Sequence, residues 1–264
     1  MKYQNCLLVD IGNSRLKWNV WPYGTGGFSR QTQSVDYKTQ SLAQLLDAQW
    51  QSIEDSISAI VVANVAGDVI AKQLDAWCVE RWHIHPQFVA TTAAFQSVKN
   101  GYRDYRELGV DRWLAVIAAY QRYPAEPVIV IDCGTATTVD ALTKQGEHRA
   151  GPIIPGRQMM LQALTNNTAN LNIAAGADTQ TSLFADNTQI AILSGVNFAA
   201  AGALNTIVSE MRRQLADEKE RIAVKIIVTG GAAAQLMPLT QIKKFSVEPD
   251  LVLIGLRTVV DKLR

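Results

Sequence analysis

The stretch CLLVDIGNS at residues 6–14 is repeated in pattern by VIVIDCGTA at residues 128–136. In each copy a continuous apolar run leads into Asp-x-Gly, which is followed by small polar residues. The apolar run predicts a central β-strand that is buried on both faces. The Asp-x-Gly element predicts a tight turn after that strand, in which glycine provides a positive φ or allows close approach of a ligand. Two such elements in matching contexts predict two domains of similar topology.

Between and after these elements, strand and helix patterns alternate in both halves of the chain, which predicts the α/β class. Pro124 and Pro127 mark a linker directly before the second Asp-x-Gly strand. We therefore place a domain boundary near residue 120, which gives an N-terminal domain at 1–120 and a C-terminal domain at 121–264. Further strands are predicted at 57–65, 88–89 and 225–229, and helices at 112–120, 157–164, 188–215 and 251–260.

The composition describes an ordinary soluble protein. Among 264 residues, 25 Lys and Arg balance 24 Asp and Glu, so the formal net charge is +1. This balance excludes a dedicated nucleic-acid or membrane-surface binder, which carries a strong basic excess. The N-terminus shows no secretory signal, and no run approaches the ~18 apolar residues that cross a bilayer. The three cysteines cannot all pair, and Cys6 and Cys133 lie in apolar runs typical of inert buried thiols. We expect a reduced, cytoplasmic protein that contacts no membrane.

The predicted helix at 188–215 is apolar nearly all round as far as Val208. One sheet covers only one side of such a helix, so a second partner is expected. A twofold axis that pairs this helix with its copy predicts a homodimer. The alternative is a monomer in which the C-terminal helix, 251–260, covers the exposed face. Residues 165–182, rich in Thr, Asn, Ala and Gln, predict a mobile loop.

Two strand–turn elements that carry aspartate, glycine and hydroxyl groups suit a nucleotide clamped between two domains. Backbone N–H groups at such turns bind phosphate oxygens, and hydroxyl and amide side chains add donors. Asp10 and Asp132 only accept hydrogen bonds when ionised, so beside phosphates they need a cation. The pair Gly230-Gly231 would let the backbone approach an adenine or ribose. The candidate side-chain donors are Asn13, Ser14, Thr135, Thr137 and Thr138.

Other common ligand motifs are missing from the sequence or weak. It contains no Gly-x-x-x-x-Gly-Lys-Ser/Thr, so a P-loop is excluded. The glycines at 24, 26 and 27 do not form Gly-x-Gly-x-x-Gly and suggest a hairpin tip. The pair His83 and His85 has no further Cys or His at a metal-binding spacing.

Four motifs in this order and spacing resemble those of the type III pantothenate kinases, over residues 5–257. They are DIGNS at 10–14, GVDR at 109–112, DCGTATT at 132–138 and GPIIPG at 151–156. The family belongs to the acetate and sugar kinase, Hsp70 and actin superfamily. The resemblance implies the actin-like ATPase fold, with two ribonuclease-H-like domains and an active-site cleft between them.

The activity implied by the resemblance is ATP-dependent phosphorylation of the primary hydroxyl of pantothenate to 4′-phosphopantothenate, the first step of coenzyme A biosynthesis. A first alternative is a regulatory accessory protein that keeps the nucleotide-binding fold without kinase activity. A second is another member of the superfamily, either a different kinase or a phosphatase that hydrolyses phosphoanhydrides. The motif at 109–112 argues against this second alternative.

The resemblance also implies a set of site residues. Asp132 would bind a monovalent cation, either potassium or ammonium. Thr135 would contact ATP, which would bind as its magnesium complex. Asp111 would be the catalytic base. The first phosphate-binding turn would comprise Asp10, Ile11, Gly12, Asn13, Ser14, Arg15, Leu16 and Lys17. Pantothenate would contact Tyr102, Gly109, Val110, Asp111 and Arg112, and Thr188 of the neighbouring subunit. Threonine is common in the family where this chain has Ser14, which keeps the hydroxyl.

Each role has a plain structural alternative. A carboxylate with a pKa near 3.9 is a weak base, so Asp111 would orient the substrate hydroxyl and take its proton late. Alternatively, Asp111 could only cap the helix that follows it. Arg112 offers a fork of donors to the pantothenate carboxylate, or it could form a surface ion pair. Asp10 and Asp132 could be turn formers, and Thr188 could be an ordinary first residue of a helix. Tyr105 is close enough to Tyr102 in the sequence to be the tyrosine that contacts pantothenate. Alternatively, either tyrosine could have only a packing role.

Overall fold

The computed structural model describes residues 5–166 except 24, 26 and 39, together with 181–215 and 223–262. The contacts divide the chain into two compact units. Unit 1 comprises Met1–Ala118 with Asp250–Arg264, and unit 2 comprises Ala119–Pro249. The predicted loop at 165–182 falls mostly on 167–180, which lie outside the described residues, as do two of the three glycines of the suggested hairpin tip.

Unit 1 is built on a five-stranded sheet with the strand order β3-β2-β1-β4-β5. The strands are β1 (Asn5–Ile11), β2 (Arg15–Pro22), β3 (Gln33–Asp36), β4 (Ala59–Asn64) and β5 (Gln87–Phe88), followed by the small hairpin of β6 (Ala94–Phe95) and β7 (Val98–Lys99). The helices are α1 (Leu42–Trp50), α2 (Asp68–Trp82) and α3 (Val110–Arg122), with 3₁₀ turns at Gln51–Ser56 and Tyr105–Glu107. Strand β1 pairs antiparallel with β2 and parallel with β4.

The core of unit 1 forms because the strands alternate apolar side chains between two covered faces. One face of β1 packs with α1 and α2 around four tryptophans. These are Trp18, Trp50, Trp77 and Trp82. The C-terminal helix packs against β1, β2 and β4. Side chains of β1 are buried on both faces, which confirms the prediction of a central strand.

Unit 2 repeats the antiparallel and parallel pairings around its own central strand. The sheet order is β10-β9-β8-β12-β13, and β11 also pairs with β9. The strands are β8 (Val128–Cys133), β9 (Ala136–Leu142), β10 (His148–Arg149), β11 (Ile153–Pro155), β12 (Lys225–Thr229) and β13 (Ser246–Val247). The helices are α4 (Arg157–Asn166), α5 (Thr188–Leu215) and α6 (Ala233–Leu236), with a 3₁₀ turn at Met237–Leu239, and the chain continues into α7 (Leu251–Lys262). Strand β8 pairs antiparallel with β9 and parallel with β12, as β1 does with β2 and β4.

The strands and helices predicted from the patterns are confirmed to within a few residues, and the α/β class with them. The position of α7 differs from the sequence-based division. The sequence placed residues 250–264 with the second half, whereas α7 packs against the sheet of unit 1. Helix α7 also packs closely against α3, because an added Cβ on Gly255 would collide with the backbone of Leu114. Neighbours along the chain need not be neighbours in the fold when a helix returns to an earlier sheet.

Helix α5 is long and apolar enough, by length and composition, to cross a membrane. The expectation that no segment reaches this length is therefore wrong, because it considered only uninterrupted apolar runs. The same composition is found in core helices of soluble proteins, and 39% of the apolar window of α5 is buried in the structure. The buried side chains of α5 include Leu193, Val196, Leu204 and Val208.

All three cysteines are free and buried, as predicted for Cys6 and Cys133. Burial raises the pKa of the Cys78 thiol to about 12, with a smaller effect of Asp75. Burial likewise raises the pKa of the Cys133 thiol to about 12, and the charge of Asp132 adds to this. Thiols with such pKa values stay protonated at neutral pH and are poor nucleophiles.

Candidate active site

The first Asp-x-Gly element forms the turn between β1 and β2. The last strand pair is Ile11 with Leu16, and the Gly12 N–H donates to the Arg15 carbonyl at 3.0 Å. Asn13 is exposed, whereas Gly12 and Ser14 are half-buried. Backbone and short polar side chains of this turn therefore face solvent at the end of a buried strand.

The remaining residues of the predicted phosphate-binding stretch flank this turn. Asp10 lies directly opposite Lys17, which places opposite charges on one face of the strand pair. The side chains of Ile11 and Leu16 are fully buried, so they anchor the turn in the core and only their backbone can contact a ligand. Arg15 is exposed.

A second predicted element, Gly109 to Arg112, begins helix α3. Asp111 Oδ1 accepts a hydrogen bond from the Arg112 N–H at 2.7 Å. An added Cβ on Gly109 would come within 2.6 Å of the same oxygen, so the glycine leaves room for the carboxylate. Val110 is buried and holds the first turn of α3 in the core. Any residue other than glycine at position 109 would therefore force the Asp111 carboxylate at the start of α3 to move.

Arg112 is only 8% exposed, which excludes the alternative of a surface ion pair. Its guanidinium donates to the Tyr102 hydroxyl at 2.9 Å and lies 5.8 Å from the centre of the Tyr102 ring. Tyr105 lies in the 3₁₀ turn and is 38% exposed. The structure therefore brings Tyr102, Asp111 and Arg112 together and leaves Tyr105 at the surface.

The turn at 12–14 and the start of α3 lie at the same edge of the sheet of unit 1. Strands β1 and β4 are parallel, so their carboxyl ends meet at one edge. Directly after β4, the Val65 N–H donates to the Ile11 carbonyl at 3.0 Å. The Val65 side chain lies 3.9 Å from the position of an added Cβ on Gly109. Ligand-binding groups commonly gather at this edge in α/β proteins.

In unit 2 the corresponding edge presents Asp132. This residue lies opposite Thr138 of β9 and Thr229 of β12 on one face of the sheet. Thr137 is 2% exposed and points to the opposite face, so it is not available as the ligand donor that the sequence predicted. Thr135 is exposed at the turn between β8 and β9.

Two glycines enclose the Asp132 carboxylate. An added Cβ on Gly134 would lie 3.2 Å from Asp132 Oδ1, and an added Cβ on Gly230 would collide with the same oxygen and with the Cys133 backbone. Gly230 has a φ of +90°, a conformation that residues with a side chain rarely adopt. The pair Gly230-Gly231 that the sequence singled out therefore packs directly against the second Asp-x-Gly turn.

Of the two roles predicted for glycine at the Asp-x-Gly turns, a positive φ or close approach of a ligand, the first is not found, because neither Gly12 nor Gly134 adopts a positive φ. An added Cβ on Gly12 would meet only the Arg15 carbonyl at 3.5 Å, an ordinary contact. At Gly134 the constraint is the space taken by Asp132. The positive φ at this site belongs to Gly230, which directly follows the neighbouring strand β12.

Replacing Gly230 with alanine should destabilise the protein by about 2 kcal/mol or more, since the new Cβ adds overpacking to a strained φ. The melting temperature measured by circular dichroism should fall by roughly 4–8 °C. Gly231→Ala is the matched control, because nothing lies within 4 Å of a Cβ at that position and its φ is not positive. Equal melting temperatures for the two variants would contradict this account of the Gly230 contact.

The motif at 151–156 is explained by contacts with the same turn. The Gly156 N–H donates to the Thr135 carbonyl at 3.1 Å, and an added Cβ on Gly156 would collide with the Thr135 and Gly134 carbonyl oxygens. An added Cβ on Gly151 would collide with the Val139 carbonyl of β9. These glycines let the segment after β10 lie directly on β9 and on the turn before it.

Sequence analysis missed a buried polar pair that joins β9 and β10. His148 and Asp140 are joined by a 2.9 Å contact between Nε2 and Oδ1, and both side chains are almost completely buried. The Gly151 N–H also donates to Asp140 Oδ1, at 3.4 Å. The signal was a charged residue between the apolar residues Val139 and Ala141 of strand β9.

Thr188 is the first residue of α5, and its side chain is exposed. The preceding residue caps the helix, since Asn187 Oδ1 accepts the Ile190 N–H at 2.9 Å. A capping role is therefore already filled by the neighbour of Thr188.

Within the described ranges no group of three or more His, Cys, Asp or Glu side chains could hold a metal ion. The two histidines of the weak metal candidate contact different partners. His83 Nδ1 lies 3.1 Å from the Val79 carbonyl, and His85 Nδ1 lies 2.9 Å from Asp75 Oδ1.

Comparison with known proteins identifies the family. The family model for type III pantothenate kinase matches residues 6–210. A type III pantothenate kinase from Nitrosococcus oceani is 35% identical over 257 residues, which cover 96% of this chain and 92% of that protein.

Solved structures support the fold alone, at lower identity. A conserved Baf family protein from Campylobacter jejuni is 21% identical, with a TM-score of 0.56 and coverage of 97% of this chain and 98% of its own. An inorganic polyphosphate/ATP-glucomannokinase from Arthrobacter sp. strain KM is 14% identical, with a TM-score of 0.50 and coverage of 98% and 99%. The expected fold is thereby confirmed. On the strength of the sequence matches, the chain belongs to the type III pantothenate kinase family.

Proposed function

We propose that this protein transfers the γ-phosphoryl group of ATP to the primary hydroxyl of pantothenate and so forms 4′-phosphopantothenate, which begins coenzyme A biosynthesis. The family match over most of the chain supports this activity. The observation that carries it is the arrangement of Asp111, Arg112 and Tyr102 at the sheet edge that also carries the turn at 12–14. The regulatory alternative has no comparable support, because the protein retains a carboxylate at the position of a base.

In unit 1 the residues of the proposal divide into two groups. Asp10 to Lys17 bind the phosphates of ATP, with the exposed backbone of the turn supplying N–H donors. Gly109 to Arg112 and Tyr102 bind pantothenate. The contact between Arg112 and the Tyr102 hydroxyl supports Tyr102 over Tyr105 as the pantothenate ligand. Arg112 presents a planar fork of donors that suits the pantothenate carboxylate.

Asp111 acts on the attacking hydroxyl. Phosphoryl transfer depends mostly on positioning and on stabilisation of charge, so the first task of this carboxylate is to orient the primary alcohol. The proton leaves the hydroxyl late, as the bond to phosphorus forms, and Asp111 Oδ2 or Oδ1 receives it. The hydrogen bond from the Arg112 N–H keeps the carboxylate at the start of α3.

In unit 2 Thr135 contacts ATP, and Asp132 binds potassium or ammonium. The residues present fit such a cation, because the Asp132 carboxylate faces two threonine positions and is approached by glycines that leave space around its Oδ1. Oxygen ligands of this kind suit hard cations. A bound monovalent cation would supply positive charge at this turn of unit 2, and magnesium would accompany ATP.

Activity should require a divalent ion with ATP, and potassium or ammonium should raise the rate severalfold over sodium. Asp132 is the expected ligand because its carboxylate lies opposite Thr138 and Thr229 at the end of a buried strand, and oxygen ligands suit a hard cation. Rates are measured while potassium replaces sodium at constant ionic strength. Equal rates in the two salts would remove the monovalent cation from the assignment of Asp132.

We further propose a cytoplasmic homodimer in which Thr188 reaches the pantothenate bound by the other subunit. Helix α5 supports this, because it carries small residues on a face that its own unit leaves open. A Cβ added to Gly195 or Gly202 would meet nothing within 4 Å, and Phe198 is 39% exposed. Close approach of two copies of α5 would cover this face.

A coupled assay for ADP formation, run with and without pantothenate, tests the proposed function. A pantothenate kinase forms ADP only when pantothenate is present, and the product gains one phosphoryl group by mass spectrometry. ADP formation without pantothenate would indicate a phosphatase or a different kinase. No ADP formation in either arm, with ATP still bound, would favour the regulatory protein.

A further inference from the structure

Tyr37 contacts the turn at 12–14 from the side of the core of unit 1. It directly follows β3, whose last residue Asp36 pairs with Arg15 at the other side of the turn. The Tyr37 side chain is 7% exposed and belongs to the core of unit 1. Its hydroxyl donates a hydrogen bond of 2.8 Å to the Gly12 carbonyl. No motif in the sequence pointed to this residue.

The contact determines which way one peptide bond of the turn faces. The Gly12 carbonyl and the Asn13 N–H belong to the same peptide unit, which is planar and trans, so the two groups point in opposite directions. Because Tyr37 binds the carbonyl from the core side, the Asn13 N–H faces the opposite side. Asn13 is an exposed residue, and its N–H points away from the core side of the turn.

Glycine at position 12 makes such a contact necessary. Glycine has no Cβ to restrict its backbone torsions, so the residue itself does little to hold the orientation of the peptide between Gly12 and Asn13. A reversed peptide would present a carbonyl oxygen, which repels phosphate oxygens, where a donor is needed.

We propose that Tyr37 is a positioning residue that holds the Asn13 N–H ready to bind a phosphate oxygen of ATP. This inference rests on the proposed function, in which residues 10–17 bind the phosphates. The hydroxyl remains a donor at neutral pH, because burial and the nearby Asp36 raise the pKa of Tyr37.

Tyr37→Phe tests the hydrogen bond without disturbing the packing of the ring, because the substitution removes only one oxygen atom. Tyr23→Phe is the matched control, since the Tyr23 hydroxyl also donates to a backbone carbonyl of unit 1, that of Val260, at 3.4 Å. The dissociation constant of ATP is measured by calorimetry on the full chain, and KM for ATP and for pantothenate by the coupled assay.

The expected result is about tenfold weaker ATP binding for Tyr37→Phe, with KM for pantothenate within about twofold of wild type. Tyr23→Phe should bind ATP as wild type does. In ¹⁵N-labelled protein, ATP should shift the Asn13 amide resonance of wild type and shift it much less in Tyr37→Phe. Unchanged ATP binding by Tyr37→Phe, or an equal loss in both variants, would overturn the inference.

The two proposals fail in different ways. If wild-type protein binds ATP but does not phosphorylate pantothenate, the proposed function is wrong, and the comparison of dissociation constants still tests Tyr37. If wild-type protein phosphorylates pantothenate and Tyr37→Phe binds ATP normally, only the role of Tyr37 is wrong.

Discussion

Asp111→Asn is expected to lower the rate of pantothenate phosphorylation by ~10² to 10⁴-fold while ATP binding is retained. Asparagine keeps an Oδ1 that can accept the Arg112 N–H, so the first turn of α3 should persist. What is lost is the negative charge that orients the hydroxyl and accepts its proton. The rate is measured with the coupled ADP assay, and ATP binding is measured separately by calorimetry.

Asp104→Asn is the control for the loss of a carboxylate in the same segment. Asp104 is bound by its neighbour Arg106 through two side-chain hydrogen bonds of 2.9 Å, and these hydrogen bonds lower its pKa. This variant should keep a rate close to that of wild type. An Asp111→Asn enzyme within about threefold of wild type would exclude Asp111 as the base, since a positioned base contributes far more than that.

Mixing Asp111→Asn subunits with Thr188→Ala subunits is expected to restore activity that neither variant has alone. If Thr188 acts in the site of the other subunit, each heterodimer contains one site with both defects and one intact site. Random exchange in an equal mixture would make roughly a quarter of all sites intact, because half of the dimers are heterodimers. The measurement is the rate of ADP formation before and after subunit exchange.

The mixing experiment gives a different result if Thr188 serves the active site of its own subunit. If Thr188 acts within its own subunit, every site in the mixture carries one defect and the rate does not recover. Thr25→Ala is a control for substitution of an exposed threonine outside α5, since its hydroxyl donates to the Pro22 carbonyl of its own turn in unit 1. A monomer by light scattering at micromolar concentration would refute the dimer and with it the role of Thr188.

Sequence reasoning succeeded where the information is local. The two apolar runs before Asp10 and Asp132 became paired central strands, because a run that is apolar on both faces has no other stable place than the middle of a covered sheet. Helix α5 has the bounds predicted for it, Thr188–Leu215, because helical periodicity is likewise a local property of the sequence. The motif that begins at Gly109 was placed correctly at the start of a helix.

The pattern could not decide matters that depend on contacts between distant segments. Tyr102 and Tyr105 are equivalent in the sequence, and only the position of Arg112 distinguishes them. The sequence left open whether Gly12 and Gly134 provide a positive φ or allow close approach of a ligand. The structure shows a positive φ at neither of them but at Gly230, which follows β12 and lies against Asp132 only after the sheet has formed.

The sequence by itself determined the class of the fold, its central strands and the turns that carry the candidate site, because period, apolar runs and glycine are properties of short segments. Only the tertiary structure placed α7 on the first sheet, buried Arg112 against Tyr102 and brought Tyr37 to the Gly12 carbonyl. Each of these contacts joins residues that are separated along the chain. Their geometry depends on how sheets and helices pack, and local patterns do not encode that packing.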